Sequence, residues 1–369
     1  MSALPPLPFR VFPNPRAGTP DTLVLSPDGY AHARATITGW PGYAPTPLLE
    51  LTWAAAAAEV AGVRMKHEAG RFGLGSFKAL GGAYAVERVL HAVGRPAAEL
   101  TVSCATDGNH GRSVAWGAQR SGCRCVIFVH ATVSQGRIDA IARYGAEVRV
   151  VAGTYDDAVR EAARVAAANG WFVVSDTSWE GYTQIPQDVM QGYRLMADEA
   201  ADQWSGPEPT HCFIQGGVGG LAAVVSIQLR DRYAPAPELV VVEPDRAACL
   251  LASAEAGAPT AVPGDLDTMM AGLACGEPSL LAWQELERGA AAFMAIPDAA
   301  AVATMRLLGR HGQVVGESGV AGLAALLLAA ADPAARAALN LSPASRVLLF
   351  ATEGATDPEL YAKLVGDAA

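Results

Sequence analysis

Short apolar runs alternate with amphipathic stretches through most of this 369-residue chain. In the middle of the chain, the runs at 100–104, 125–129 and 148–151 are each followed by a stretch with helical apolar spacing. Such runs predict strands that are buried on both faces, and the intervening stretches predict the helices that cover them. We therefore predict an α/β fold with two open, mostly parallel sheets flanked by helices.

The order of the predicted elements also suggests how the chain is divided. The alternation continues to residue 352, whereas residues 1–45 are rich in proline and have few periodic apolar runs. We predict that these first residues form an arm, which wraps another part of the molecule or a partner subunit. The best division is a small domain at 98–178, inserted into a large domain formed by residues 1–97 and 179–369.

The composition limits the classes of partner. The formal net charge of −10 argues against nucleic acids and anionic membranes, because proteins that bind these polyanions carry a basic surface. The chain start lacks the basic and apolar parts of a signal peptide, and no apolar stretch is long enough to predict a transmembrane helix. We expect a cytoplasmic protein that has no membrane partner.

The six cysteines do not have the spacing of a zinc site, and we predict no bound metal. Cys123 and Cys125 begin a predicted strand, which favours buried thiols. Cys249 and Cys275 flank an irregular segment, and a disulfide between them is an alternative hypothesis.

Lysine is rare in this chain, which makes the position of Lys78 informative. Only Lys66, Lys78 and Lys363 are lysine among the 27 basic residues. Lys78 lies between a glycine-rich turn and a predicted helix, among small and apolar residues. Arginine stays charged, whereas a desolvated lysine can lose its proton and act as a nucleophile. A lysine at a helix start that extends its ammonium group into solvent is the competing interpretation.

The segment Gln215-Gly-Gly-Val-Gly-Gly220 lies between a predicted buried strand and a predicted helix. Its glycines allow backbone N–H groups to converge, and the helix N-terminus adds a positive partial charge, which favours a bound phosphate. The segment is not a Walker loop, and its glycine spacing differs from that of a dinucleotide site. A phosphate monoester fits it better than a pyrophosphate does, and a glycine turn needed only for tight packing is the alternative.

Two further segments follow predicted strands and carry acids. The first, Thr106-Asp-Gly-Asn-His-Gly111, offers backbone donors for a carboxylate or a ring hydroxyl, with Asn109 as a polar side chain. Asp107 in this segment and Asp176 after a later strand are candidate acid/base residues, because ligands of open α/β sheets bind at the carboxyl ends of strands. The alternative for each acid is a helix cap or a structural hydrogen bond.

One cofactor accounts for a reactive lysine, a monophosphate cradle and a loop that can hold a ring hydroxyl. Pyridoxal 5′-phosphate forms a Schiff base with a lysine through its aldehyde and carries a single phosphate. We predict that Lys78 binds it in the large domain, and that the small domain lies on the side of a small amino-acid substrate.

These motifs resemble those of the tryptophan-synthase-β-like (fold type II) family of pyridoxal-phosphate enzymes, over most of the chain. Residues 179–186, Trp-Glu-Gly-Tyr-Thr-Gln-Ile-Pro, and 270–278, Met-Ala-Gly-Leu-Ala-Cys-Gly-Glu-Pro, are similar to the ammonia-lyases of that family. The resemblance implies an α,β-elimination of D- or L-2,3-diaminopropionate, or of both, that yields pyruvate and ammonia.

The resemblance also implies roles for individual residues. Lys78 would carry the Schiff base, and the proton on Cα would be removed by Asp176 in the L isomer and by Asp107 in the D isomer. The residues implied in cofactor binding are Phe77, Lys78, Asn109, Gly216, Gly217, Val218, Gly219, Gly220 and Thr352, the last near the pyridine nitrogen. Those implied in substrate binding are Thr106, Gly108 and His110. A carboxylate base works best with a pKa near the working pH, so we expect both acids to be partly buried.

Three alternatives stay open at this point. A serine/threonine dehydratase would eliminate a hydroxyl group, and a β-replacement transferase would need a site for a second nucleophile. A cofactor-free binding protein of the same fold is the third, although Lys78 and the glycine segment are both intact. The proline-rich first segment favours a homodimer.

Overall fold

The computed structural model describes residues 4–106, 108–153 and 155–366, with only the backbone of Asp156. The chain divides into two compact units. Unit 1 consists of Met1–Val24, Pro45–Gly70 and Met196–Ala369, and unit 2 consists of Leu25–Ala44 and Arg71–Leu195.

Strands and helices alternate along most of the described chain. The strands are β1 (Arg10–Pro13), β2 (Leu48–Glu50), β3 (Gly62–His67), β4 (Thr101–Ala105), β5 (Arg124–His130), β6 (Glu147–Val151), β7 (Phe172–Val173), β8 (His211–Gln215), β9 (Glu238–Pro244), β10 (Ala292–Ile296) and β11 (Arg346–Ala351). The α-helices are α1 (Pro27–Thr38), α2 (Thr52–Ala58), α3 (Ala79–Val93), α4 (Asn109–Ser121), α5 (Gln135–Ala142), α6 (Tyr155–Asn169), α7 (Gln184–Gln203), α8 (Gly220–Arg232), α9 (Cys249–Ala256), α10 (Leu280–Gly289), α11 (Asp298–Arg310), α12 (Ala321–Ala331), α13 (Pro333–Ala338) and α14 (Pro358–Val365).

In unit 1 the described strands form one sheet in the order β1-β10-β9-β8-β11-β3-β2. Its inner pairs are parallel, while β1 and β2 run antiparallel to their neighbours at the two edges. Strands β8 and β10 are buried at every residue, because both faces of the sheet are covered. The alanine- and leucine-rich helix α12 belongs to this core and is buried over residues 321–329.

In unit 2 the described strands form a second sheet, in the order β6-β5-β4-β7, and every pair is parallel. Part of its core lies between β5 and α6, where Val126 and Phe128 pack with Ala158, Ala162 and Val165. The carboxyl ends of neighbouring parallel strands meet at the same edge of a sheet. This topology therefore places the residues after β4 and those after β7 next to each other.

Close helix contacts in unit 2 depend on glycine. A Cβ atom on Gly192 of α7 would lie 2.1 Å from the carbonyl oxygen of Leu80 on α3. On the other side of α3, a Cβ atom on Gly117 of α4 would lie 2.6 Å from Ala83 Cα. Helix α3 is therefore packed against both α4 and α7, which fixes the position of Lys78 just before its first turn.

The predicted fold class is confirmed, since both sheets are open, mostly parallel and flanked by helices. Residues 1–45 are more regular than predicted, because β1 pairs with β10 and α1 forms a helix. The hydroxyl of Ser26 caps α1 by accepting a bond from Gly29 N–H, and Pro27 occupies the first helical position. The compact unit around the small sheet is larger than segment 98–178, because it includes α1, α3 and the start of α7. The predicted domain boundaries stay a prediction.

Among the helices of the described residues, none combines the length and the apolar character needed to cross a membrane. All six cysteines, which lie in the described part of the chain, are free thiols. The alternative hypothesis of a disulfide is therefore wrong for this structure, in which Cys249 and Cys275 are not bonded to each other.

Candidate active site

Unit 2 brings together the rare lysine and one of the two predicted acids. Lys78 Nζ lies 2.5 Å from Asp176 Oδ2, and each of these side chains is 20% exposed. The Lys78 ammonium group also lies 5.3 Å from the centre of the Phe77 ring and 5.6 Å from that of Tyr193. The two rings pack against each other with their centres 4.6 Å apart. A lysine with an acid beside it and aromatic walls can act as a nucleophile and transfer protons.

His110, in the first turn of α4, is the third polar group of this cluster. Its Nε2 lies 2.7 Å from the carbonyl oxygen of Val174, so this nitrogen carries the proton and donates it. Its Nδ1 is 3.7 Å from Asp176 Oδ2, which is too long for a hydrogen bond. Burial lowers the pKa of His110, while the nearby carboxylate of Asp176 acts in the opposite direction.

The surroundings of Asp176 set its basicity. Burial acts to raise the pKa of Asp176, but the charges of His110 and Lys78 outweigh it and hold that pKa well below its usual range. The side chain is partly buried, as we expected for a base. Its pKa does not lie near the working pH, because His110 and the ammonium group of Lys78 stabilise the carboxylate.

The segment after β4 is held by its own hydrogen bonds. Thr106 is buried, and its Oγ1 accepts bonds from the N–H groups of Gly108 at 3.0 Å and Gly111 at 3.1 Å. Asn109 begins α4, and its Oδ1 accepts a bond of 2.6 Å from Arg112. The contacts of Thr106, Gly108 and His110 with substrate, and that of Asn109 with the cofactor ring, stay predictions. Asp107 lies outside the described residues.

The glycine segment of unit 1, residues 216–220, connects β8 to α8. Gly216 N–H donates to Val242, while the carbonyl groups of Val218 and Gly219 accept bonds from Ser279 and Ala223. The first N–H groups of α8 have no acceptor within the helix, as at every helix start. Gly219 has a φ of 93°, which favours glycine at the turn into the helix. The loop thus directs carbonyl groups to the protein and leaves the helix start for an anion.

Helix α9 packs against this loop. Glu243, at the end of β9, accepts bonds of 2.7 and 2.8 Å from the N–H groups of Leu250 and Leu251. A Cβ atom on Gly216 would lie 2.7 Å from the Leu250 side chain, so glycine is needed here for packing as well. Burial raises the pKa of Glu243 to about 8. Sequence reasoning assigned no role to Glu243, although an acid at the end of an apolar strand was a usable signal.

Gln215 was also missed as a site residue. It precedes the glycine segment, and its Nε2 donates to the carbonyl oxygen of Phe350 at 2.8 Å and to Thr352 Oγ1 at 2.7 Å. Its Oε1 is buried and has no hydrogen-bond partner among the described residues. Thr352 accepts this bond, so its own hydroxyl proton can point elsewhere. The signal in the sequence was a lone amide directly after the apolar run at 212–214.

The residues present fit pyridoxal 5′-phosphate in the chemistry of their groups. Unit 2 provides a primary amine, Lys78, beside the aromatic rings of Phe77 and Tyr193. Unit 1 provides the loop at 216–220, and beside it the polar pair of Gln215 and Thr352. A primary amine suits the aldehyde of this cofactor, and a helix start suits its single phosphate.

Comparisons with known proteins identify the family of the chain. The profile of a family described as pyridoxal-phosphate dependent enzyme matches residues 39–353. The chain is 41% identical over 349 residues to diaminopropionate ammonia-lyase of Escherichia coli (strain K12), with 88% of each chain covered. It is 37% identical over 360 residues to diaminopropionate ammonia-lyase of Salmonella typhimurium, with 88% of this chain and 89% of the relative covered.

The fold agrees with these similarities. A crystal structure of diaminopropionate ammonia-lyase from Escherichia coli, in complex with an aminoacrylate-PLP azomethine reaction intermediate, matches with a TM-score of 0.91. The sequence identity in this match is 38%, and 98% of each chain is covered. The chain therefore belongs to the pyridoxal-phosphate dependent enzyme family, in the group that contains the diaminopropionate ammonia-lyases.

Proposed function

We propose that the protein is a pyridoxal-phosphate-dependent ammonia-lyase that converts 2,3-diaminopropionate to pyruvate and ammonia. The observation that carries the proposal is the pair of Lys78 and Asp176, in which a potential nucleophile and a potential base lie 2.5 Å apart. The names of the similar proteins supply the substrate.

The bound cofactor supplies an electron sink that makes the proton on the substrate Cα removable. Lys78 provides the amine that binds the aldehyde of the cofactor, and residues 216–220 bind its phosphate through backbone N–H groups. Asp176 accepts the proton from Cα of the L isomer, and Asp107 accepts it from the D isomer. Thr106, Gly108 and His110 line the pocket for the carboxylate of the substrate.

The charge state of Lys78 controls the basicity of Asp176. His110 lowers the pKa of Asp176, and Lys78 lowers it further while it is an ammonium group. A neutral Lys78 amine no longer provides its part of this attraction, so the pKa of Asp176 then rises. Asp176 is therefore a stronger base when Lys78 has given up its proton.

The lysine content of the chain allows a direct test of the covalent site. Borohydride reduction of the holoenzyme, followed by peptide mass mapping, should attach the cofactor to Lys78 and not to Lys66 or Lys363. Lys78→Ala should also lose the violet absorbance of the bound cofactor, whereas the matched change Lys363→Ala, at an exposed position, should keep it. A wild type that stays colourless with added cofactor would refute the enzyme proposal.

The base assignment is tested with the two isomers of the substrate. Asp176→Asn should lower kcat for L-diaminopropionate by about 10²- to 10⁴-fold, the usual contribution of a general base. Turnover of the D isomer should stay within a few-fold of wild type and serves as the control for folding and cofactor loading. Faster pyruvate release from serine, or 2-ketobutyrate release from threonine, would instead favour the dehydratase alternative.

We also propose that the enzyme is a cytoplasmic homodimer. The acidic net charge of −10 supports a protein that does not bind anionic membranes. Sedimentation of the holoenzyme should give twice the mass of the chain, and cell fractionation should recover activity without membranes. A monomer, or activity in the membrane fraction, would contradict this.

A further inference from the structure

The backbone that leads to Asp176 is fixed on both sides. Strand β7 has only two residues, and it lies at the edge of the small sheet. On its inner side, Val174 N–H donates to the carbonyl oxygen of Ser103 at 2.8 Å. On its outer side β7 pairs with no further strand of the described residues. A side chain forms hydrogen bonds with the backbone there instead.

That side chain is Tyr182. Its hydroxyl group donates to the carbonyl oxygen of Val173 at 2.7 Å and accepts from Ser175 N–H at 3.0 Å. One hydroxyl group thus bonds to the backbone on both sides of Val174, directly before Asp176. Burial raises the pKa of Tyr182, so the hydroxyl keeps the proton that it donates.

Tyr182 is itself held by a short turn. Its backbone and that of Trp179 exchange two hydrogen bonds, of 2.9 and 3.3 Å. The two rings are stacked, with centres 4.2 Å apart and an angle of 15° between their planes. Gly181 has a φ of 83°, which a glycine adopts without strain. These contacts within the turn hold the Tyr182 ring and direct its hydroxyl group to the backbone of Val173 and Ser175.

We propose that Tyr182 is a positioning residue that holds the segment Val173–Ser175 so that the carboxylate of Asp176 stays in place to act as the base. This inference rests on the proposed function, in which Asp176 serves the L isomer. It assigns a task to one residue of the segment 179–186, which the sequence singles out and the mechanism does not otherwise use. It also implies that Tyr182 affects the two isomers unequally.

The test is Tyr182→Phe in the holoenzyme, with Tyr361→Phe as the matched control. The first change deletes both hydrogen bonds and keeps the ring, while the hydroxyl of Tyr361 has no hydrogen-bond partner among the described residues. For Tyr182→Phe we expect kcat for L-diaminopropionate to fall about 10- to 100-fold, because a small displacement of a catalytic group has effects of this size. KM for the L isomer and kcat for the D isomer should stay within about two-fold, and Tyr361→Phe should change neither.

A second measurement does not depend on activity. Loss of the acceptor should speed hydrogen–deuterium exchange of the Ser175 amide in Tyr182→Phe but not in Tyr361→Phe. Equal losses with both isomers, or unchanged turnover of the L isomer, would overturn the positioning role.

Asp176→Asn, measured in parallel, separates the two proposals. If it abolishes turnover of the L isomer while Tyr182→Phe has no effect, the positioning role alone fails. If it leaves turnover of the L isomer intact, the base assignment fails, and the inference falls with it.

Discussion

Asp176 and Glu243 are both acids at the carboxyl ends of strands, and their surroundings shift their pKa in opposite directions. Asp176 faces Lys78 and His110, which overcome its burial and lower its pKa. Glu243 is fully buried and accepts its hydrogen bonds from the neutral backbone of Leu250 and Leu251, so burial prevails and raises its pKa to about 8. The nearest charge, and not burial alone, therefore decides which acid is ionised.

Glu243→Gln should remove a pH dependence of stability. In the native state Glu243 keeps its proton up to about pH 8, whereas in the unfolded chain it loses the proton near its ordinary pKa of 4.5. Unfolding therefore releases a proton between these values, so the free energy of unfolding falls as the pH rises. For this group alone, the loss between pH 5 and 7.5 should be about 3 kcal/mol.

Urea unfolding at pH 5 and pH 7.5 measures this difference. The drop in wild type should exceed that in Glu243→Gln, since all other titrating groups are common to both proteins. Equal drops would show that Glu243 is ionised in the native state.

At the scale of elements, the contact between α3 and α7 depends on the absence of a side chain. Gly192→Ala would place a Cβ atom 2.1 Å from the carbonyl oxygen of Leu80. This oxygen belongs to the backbone of α3, so relieving the clash requires the whole helix to shift and its contacts to repack. We expect a loss of about 1–3 kcal/mol in the free energy of unfolding, as for other overpacked contacts.

The matched control is Gly136→Ala, an exposed position in α5 where a Cβ atom meets nothing within 4 Å. It should stabilise the protein by about 0.5–1 kcal/mol through helix propensity. Denaturant unfolding of both variants gives the comparison. A harmless Gly192→Ala would mean that the two helices can separate at little cost.

The elements that were predicted correctly have a clear periodicity of apolar residues or are bounded by a clear turn signal. Strand β8 and helix α8 lie on either side of the glycine segment, where the sequence predicted a buried strand and a helix. Strand β10 was missed, because its run Ala-Phe-Met-Ala-Ile follows further alanines, and alanine favours helix. Helix α1 was missed because the prolines around it masked the cap at Ser26.

The sequence allowed individual site residues to be predicted, but not the contacts between them. Lys78 stood out by its rarity, and the strand ends placed Asp176 at a ligand-binding edge. The pairing of Asp176 with Lys78, and the bonds of Tyr182 to the backbone, depend on residues about 100 and seven to nine positions apart that only the fold brings together. The spacing of these residues in the sequence therefore could not predict the low pKa of Asp176 or the hydrogen bonds that hold the backbone before it.

At the scale of the whole molecule, the cofactor should contribute to stability. A ligand that binds the native state and not the unfolded chain stabilises by about 2.7 kcal/mol when its free concentration is 100 times Kd. Removal of pyridoxal phosphate by hydroxylamine and dialysis should therefore lower the thermal midpoint by about 3–4 °C, and added cofactor should restore it. Lys78→Ala should lose most of this response, because it lacks the amine that binds the cofactor, while Lys363→Ala should respond as wild type. A midpoint that is the same with and without cofactor in the wild type would contradict a specific site.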